Sequence, residues 1–271
     1  MPDGTSLLVR DWPVPDARDA VLFVHGLSEH SGRYRQLAQW FNRRGFHVRA
    51  YDQRGHGHSE GQHGTLRRRD DLLADLATVW GEFAASRPRA PLLLGHSMGG
   101  LVALRAVLDG RVRPSALVLS SPALRTHEPA WLIRLARVLA HLAPRLPLRS
   151  ALGFEFLTHN RRVLATYRRD PLRHGWITPR LADFLFRAGP ACIADASRLD
   201  LPTLLLVAGA DHIVDPAGSH AFADAASADP QLTTRYFAGL YHELFNEAEP
   251  GRGQVLKQLD QWLAARRHAA P

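Results

Sequence analysis

An α/β fold built on a mostly parallel sheet is what this sequence predicts, and three observations predict it. Over the first 120 residues, short apolar runs rich in Val, Leu and Phe alternate with longer stretches of helical period. One run, Leu92-Leu93-Leu94 between Pro91 and Gly95, is apolar without a break, as a strand buried on both faces must be. The rhythm stops at Ser121-Pro122 and resumes near Pro202, so a block is inserted between two strands of one sheet.

The elements follow in order. Residues 7–12 and 20–25 read as strands. Residues 31–44 read as a helix with Tyr34, Leu37, Ala38 and Phe41 on one face. A strand over 46–52 and a helix over 66–86 come next, then a strand over 91–95, a helix over 98–108 and a strand over 116–120. From 125 to 198 the chain is helix-like, with no clear strand. A strong strand covers 202–209, a helix starts from Pro216, a strand covers 232–237, and a helix over 254–267 closes the chain. Residues 1–124 and 199–271 are therefore expected to form the core domain. Residues 125–198 are expected to form a helical cap, being too short and too interrupted by proline to own a large core.

Composition narrows the class. The 271 residues are 45% hydrophobic and 22% charged, an ordinary globular balance. Cys192 is the only cysteine, which excludes an internal disulfide and a Cys-rich zinc site. The N-terminus lacks a basic and an apolar region, and no long apolar stretch lacks charge, so neither a signal peptide nor a membrane span is expected. A cytoplasmic location follows, with peripheral membrane contact as an option. The formal charge is +8, and the whole excess lies in residues 125–198, which hold 13 Arg against 5 Asp and Glu. A membrane surface or an anionic substrate fits this block. So does a plain solvated face in an arginine-biased chain with one lysine, Lys257. No nucleic-acid-binding pattern accompanies it, and nucleic acid is not an expected partner.

The most specific local signal is Gly95-His96-Ser97-Met98-Gly99-Gly100, a Gly-x-Ser-x-Gly turn between an apolar strand and a helix. Such a turn is sharp, leaves no room for side chains at Gly95 and Gly99, and holds the serine hydroxyl out above the sheet. A hydroxyl needs a base to become a nucleophile. Among 15 histidines, His242 fits, because it follows the 232–237 strand through a short loop. His268 lies near the chain end and His220 in an expected helix. His25, His30, His56, His58 and His63 precede the serine in loops where a structural hydrogen bond is the expected role. The acid is Asp211 or Asp215. Asp211 sits at the carboxyl end of the 202–209 strand and is assigned to the triad, whereas Asp215 before Pro216 reads as a helix cap. An oxyanion needs fixed donors, each worth roughly 3 kcal/mol. The Met98 N–H after the serine is one. The second is the Leu27 N–H, in a loop where Gly26 lets the backbone approach closely. His96 is expected to line the pocket.

At this point the chain resembles the alpha/beta-hydrolase superfamily, in its monoacylglycerol lipase and lysophospholipase branch, the serine aminopeptidase S33 or Hydrolase-4 type. The resemblance rests on His25-Gly26-Leu27-Ser28-Glu29-His30-Ser31-Gly32-Arg33-Tyr34, on Tyr51-Asp52-Gln53-Arg54-Gly55-His56-Gly57-His58-Ser59, and on the serine turn with Ser120-Ser121-Pro122. It continues in Tyr167-Arg168-Arg169-Asp170-Pro171-Leu172, Ala208-Gly209-Ala210-Asp211 and Tyr241-His242-Glu243-Leu244-Phe245-Asn246-Glu247. It implies an alpha/beta-hydrolase fold with a helical cap, a Ser97–Asp211–His242 triad and a Leu27–Met98 oxyanion hole. It implies further that Glu29 and Arg33 brace the oxyanion loop as a local ion pair, and that Tyr167 lies near the polar head of the substrate. Mammalian monoacylglycerol lipases carry a second histidine three places after the catalytic one. Here that place is Phe245, and the chain looks like the bacterial form.

The stretch 130–142 has helical period, with Arg134, Arg137 and His141 on one face and apolar residues over the rest. It suits a helix lying at a lipid interface, or one packed down on the sheet to form an acyl tunnel. Leu146, Leu148, Leu152, Phe154, Phe156 and Leu157 add to the tunnel or to the core. Both readings imply an apolar ester. The expected activity is cofactor-free hydrolysis of single-chain acyl lipids, monoacylglycerol first, with a lysophospholipid or a general carboxylic ester as the alternative. A catalytically silent binding scaffold is the alternative of another class.

Overall fold

The structure is a computed structural model and describes residues 1–150, 153–226 and 231–269, with side chains through 267. Its strands are β1 (Val9–Trp12), β2 (Asp19–Val24), β3 (Phe46–Tyr51), β4 (Leu92–His96), β5 (Ala116–Ser120), β6 (Leu148–Arg149), β7 (Trp176–Ile177), β8 (Thr203–Ala208) and β9 (Leu232–Phe237). The helices are α1 (Arg35–Asn42), α2 (Asp71–Ala85), α3 (Met98–Leu108), α4 (Ala130–Leu142), α5 (Arg161–Arg169), α6 (Pro179–Ala194), α7 (Ala217–Ala225) and α8 (Gly251–Ala269). Seven strands form one sheet in the order β1-β3-β2-β4-β5-β8-β9. All neighbours pair parallel except β1, which runs antiparallel to β3.

The sheet carries helices on both faces because its central strands are apolar on both faces. Val21 and Phe23 pack with Leu37 and Phe41 of α1 and with Val255 and Leu259 of α8. Leu22 and Val24, one residue out of phase, pack with Leu72 and Leu76 of α2 and Leu101 and Leu104 of α3. Every residue of α3 is buried. Each such leucine contributes about 2 kcal/mol through burial.

The strand order fixes where a site can form. From β2 the chain moves outward to β3, whereas from β4 it moves the other way to β5. The loops leaving the carboxyl ends of β2 and β4 therefore part, and a crevice opens between them. Gly26-Leu27 and Ser97-Met98 occupy those two ends.

Three expectations need correction. Residues 31–44 are not one helix: a 3-10 turn over Ser31–Tyr34 precedes α1, because the Asp52 carboxylate accepts from the N–H and the hydroxyl of Ser31. Residues 66–70 stay outside α2, because the Asp71 carboxylate accepts from the N–H groups of Arg67 and Arg68 at 2.6 and 2.8 Å and holds them in a turn. The 125–198 block does contain strand: β6 and β7 pair antiparallel, Arg149 opposite Trp176. Two residues per strand are too few for any periodicity to show. In the same block, Leu181, Phe184, Ala188 and Cys192 of α6 join the core that holds α3.

Candidate active site

Ser97 sits between β4 and α3 with φ 54° and ψ −122°, a backbone conformation that L side chains rarely adopt. The turn is held by the Ser97 N–H donating to Ser120 O at 3.0 Å and by the Ala123 N–H donating to Ser97 O at 3.1 Å. A methyl at Gly95 would meet Gly99 O at 2.5 Å, and one at Gly99 would strike the carbonyls of Val24 and His25. Both glycines are thus required by the close approach of α3 to β2 and β4. Ser28 and Ser121, in the neighbouring loops after β2 and β5, also have positive φ, at 63° and 43°. Backbone strain is concentrated where three loops meet.

Asp211 follows β8 and His242 follows β9, so adjacent parallel strands bring them together. His242 Nδ1 lies 2.6 Å from Asp211 Oδ2. A carboxylate can only accept, so Nδ1 carries the proton and Nε2 is left as the free base. Asp211 Oδ1 accepts from the N–H groups of Ile213 and Val214 at 2.8 and 3.0 Å. Burial raises the Asp211 carboxyl, but the His242 charge and these hydrogen bonds outweigh it and leave it below the ordinary carboxylate range. Burial lowers the His242 imidazole, yet the facing Asp211 raises it above the ordinary value on balance. Asp215 does something else: its Oδ1 accepts from Ala217 N at 2.9 Å at the start of α7, and Oδ2 meets Arg125 at 2.9 Å. Ser97 and His242 line the same cavity. Among the hydrogen bonds of the described residues none joins their side chains, an arrangement common before substrate draws such a pair together.

The loop after β2 is held rigidly. Glu29 Oε1 accepts from the Gly26 N–H at 2.5 Å and from the Tyr34 hydroxyl at 2.9 Å, and Oε2 accepts from Arg33 at 2.6 Å. Burial would raise Glu29, but Arg33 and two nearby imidazoles bring it down to about 2. The expected Glu29–Arg33 pair is therefore present. The sequence did not announce its continuation: Arg33 also donates two hydrogen bonds of 2.7 Å to Glu243, the residue after His242. One buried guanidinium thus ties the loop carrying Leu27 to the loop carrying His242. The signal was a second acid within the Tyr241–Glu247 motif, but nothing local connects it to a residue 210 positions away. Glu247, buried in the same motif, accepts from Tyr241 N, from Thr158 Oγ1 and from His159 N, which fastens the His242 loop to the inserted block.

His25 plays the structural role expected of it. Its Nε2 accepts from Gln53 N at 2.9 Å, so Nδ1 donates to Gly26 O at 2.7 Å. His96 donates from Nδ1 to Ser120 O at 3.1 Å, and its ring lies 4.7 Å from that of His242. Burial, with His242 nearby, pushes His96 down to about 4, so it stays neutral at ordinary pH. Among the described residues no group of three or more His, Cys, Asp or Glu is arranged to hold a metal ion.

Two cavities meet at Leu27 and Ser97. The smaller, about 190 Å³, is the more polar of the two and is bounded by Glu29, Arg33, Tyr167, Arg173, His174 and Glu243. Gly26, His96 and His242 also line it. The larger, about 650 Å³, is largely apolar and runs under α4 and α6 past Leu132, Ala136, Leu139, Ala182, Leu185 and Ile193. Leu148 lines the larger cavity, and Phe154 and Leu157 the smaller. Leu146 and Phe156 are exposed, and Leu152 lies outside the described residues, as does the side chain of His268. Helix α4 is divided between cavity and solvent. One flank lines the apolar cavity, while Trp131, Leu135, Val138 and Leu142 form an exposed apolar stripe beside Arg134, Arg137 and His141.

The family model described as serine aminopeptidase, S33 (Hydrolase_4) matches residues 15–249. The chain belongs to the Hydrolase_4 family. It is a monoacylglycerol lipase-like serine hydrolase with the alpha/beta-hydrolase fold, as the motifs implied. A monoacylglycerol lipase of Mycolicibacterium smegmatis is 36% identical over 270 residues, covering 97% of this chain and 94% of that protein. A monoglyceride lipase of Rattus norvegicus is 30% identical over 270 residues, covering 97% and 88%. The crystal structure of Paleococcus ferrophilus monoacylglycerol lipase superposes with a TM-score of 0.87 at 32% identity, covering 96% of this chain and 99% of that one. No helix among the described residues is long and apolar enough to cross a membrane.

Proposed function

We propose that this member of the Hydrolase_4 family cleaves carboxylic esters of single-chain acyl lipids, with monoacylglycerol as the first substrate. The observation that carries the reading is the His242–Asp211 pair, 2.6 Å apart, opening on the same cavity as the strained Ser97. The Ser97 hydroxyl attacks the ester carbonyl while His242 Nε2 takes its proton, and Asp211 stabilises the imidazolium that forms. The N–H groups of Leu27 and Met98 receive the developing oxyanion. Met98 opens α3, where its N–H has no partner within the helix. His242 then protonates the leaving alcohol, and water releases the acyl group by the reverse relay.

The two cavities divide the substrate. The apolar one takes the acyl chain, and the polar one, with Tyr167, takes the alcohol. Residues 125–198 act as a cap over the site, and the apolar stripe of α4 with its arginines brings the cap to a lipid surface. The relay requires no cofactor.

The test is direct. Ser97→Ala should lower hydrolysis of monoacylglycerol by at least about 10⁴-fold while circular dichroism and melting stay as in the wild type. A fluorophosphonate should label the wild type and not the variant. An unlabelled Ser97 in folded wild-type protein would instead support a silent binding scaffold.

A further inference from the structure

The polar cavity has a charge pattern that a neutral alcohol does not need. Its two acids are already spent: Glu29 and Glu243 are buried, and their oxygens are occupied by Arg33, Tyr34, Gly26 N and Asn246. Two further guanidiniums line the same cavity, Arg149 and Arg173. Among the described residues neither one donates a hydrogen bond or meets a carboxylate. Each is held by a ring instead. Arg149 lies 4.3 Å from the centre of Trp176, its partner across the β6–β7 pair. Arg173 lies 5.0 Å from the centre of Tyr167, against which Arg33 also packs at 4.7 Å. A ring contact orients a guanidinium and leaves its N–H groups free. Asp170, the acid nearest in sequence to Arg173, is engaged by His30 at 2.8 Å. With Arg33 set against the two glutamates, the cavity walls carry a net charge of about +1 before substrate binds, and its unpaired donors include two guanidiniums beside the neutral Ser28 hydroxyl and His174 ring. Arg149 also lines the apolar cavity, so it stands at the junction where the ester must lie.

We propose that Arg149 and Arg173 form an anion subsite for the alcohol half of the substrate, selecting a monoacylated glycerol phosphate over the uncharged monoacylglycerol. The proposal rests on the ester-hydrolase reading, keeps its reaction and its single acyl chain, and puts the phosphate ester ahead of monoacylglycerol as the preferred substrate. Phosphate oxygens match the planar N–H fork of arginine, and charge-assisted bonds of this kind are about twice as strong as neutral ones. The acyl chain would lie in the apolar cavity and the phosphate between the two guanidiniums. Addition of water across the acyl C–O bond releases a fatty acid and glycerol phosphate.

The experiment compares 1-acylglycerol 3-phosphate with 1-acylglycerol of the same chain length, in wild type and in R149Q/R173Q. In the wild type the ratio of kcat/KM values should favour the phosphate ester about tenfold, and the double variant should erase that preference. Raising salt should shrink it too, because partly exposed charges are screened. A wild type that prefers the neutral ester, or a double variant that loses both substrates equally, would overturn the proposal. Binding to Ser97→Ala, read by calorimetry, separates the two levels of argument. Tighter binding of the phosphate lipid than of the neutral one, abolished by R149Q/R173Q, upholds the subsite even if no ester is hydrolysed. Inorganic phosphate binding as tightly as the phosphate lipid would overturn its assignment to a lipid headgroup.

Discussion

The two cavities that meet at Ser97 are built on opposite principles. The polar one is fixed by charge: Arg33 alone makes three hydrogen bonds, to Glu29 and Glu243, and clamps together loops that leave β2 and β9. The apolar one is bounded by α4 and α6, whose leucines and isoleucines face it without any directional bond. A buried ion network has one good geometry, whereas an aliphatic wall tolerates many. In the proposed function the chemistry therefore sits on the rigid side, and the freedom to accept acyl chains of different shape sits on the other.

The largest expected effect tests the rigid side. Asp211→Asn should lower kcat/KM by about 10⁴-fold, since an amide at this place no longer fixes the His242 tautomer or stabilises its charge. Asp215→Asn should stay within a few-fold, because that carboxylate caps α7 and pairs with the exposed Arg125. Steady-state kinetics of both variants decides it, and the reverse ranking would move the acid to Asp215.

Next comes the clamp. Glu243→Gln leaves the buried Arg33 with one carboxylate, and removing one partner of a buried pair costs about 3 kcal/mol of stability. The loosened loops should also lower kcat by 10- to 100-fold, roughly the penalty for misplacing a donor or base by an ångström. A Glu243→Gln protein that melts and turns over like the wild type would show that the clamp contributes neither. On the soft side, Leu139→Trp should shorten the apolar cavity and leave the reaction itself intact. Selectivity for long over medium acyl chains should fall about tenfold in a chain-length series. An equal loss on every chain length would mean that α4 shapes the reacting centre as well.

The sequence revealed the rigid side far better than the soft one. The convergence of Ser97, Asp211 and His242 was legible because each follows a strand whose apolar run is local information, and parallel strands bring their ends together whatever lies between. The Glu29–Arg33 pair was expected through the family resemblance, and its members, four residues apart, do meet. The Glu243 arm was not, because its partner lies 210 positions away. Nor was the path of the inserted block, where the β6–β7 pair and the packing of α6 on α3 depend on contacts that no periodicity encodes. The fate of α4 was left open for a related reason. Its apolar residues nearly encircle it, so the helix pattern fits burial and exposure equally, and only the tertiary structure assigns one flank to the cavity and the other to solvent.

The smallest expected effect is a shift along the pH axis, and it isolates the electrostatic link between Asp211 and His242. His242 must be neutral to take a proton from Ser97, so activity should rise with pH along a single acid limb. Burial alone would push that limb below the ordinary histidine value of 6.5, and Asp211 pushes it above. Removing the acid charge in Asp211→Asn should therefore move the limb down, so that the residual turnover persists into more acidic solution than the wild-type activity does. His96, held near 4 by burial, stays neutral throughout and adds no second limb in this range. The measurement is a pH profile of kcat/KM for both proteins, with the ¹⁵N shift of the His242 ring in a Ser97→Ala background as a check independent of turnover. A limb that stays in place when Asp211 loses its charge would mean that the carboxylate orients the imidazole without stabilising its cation.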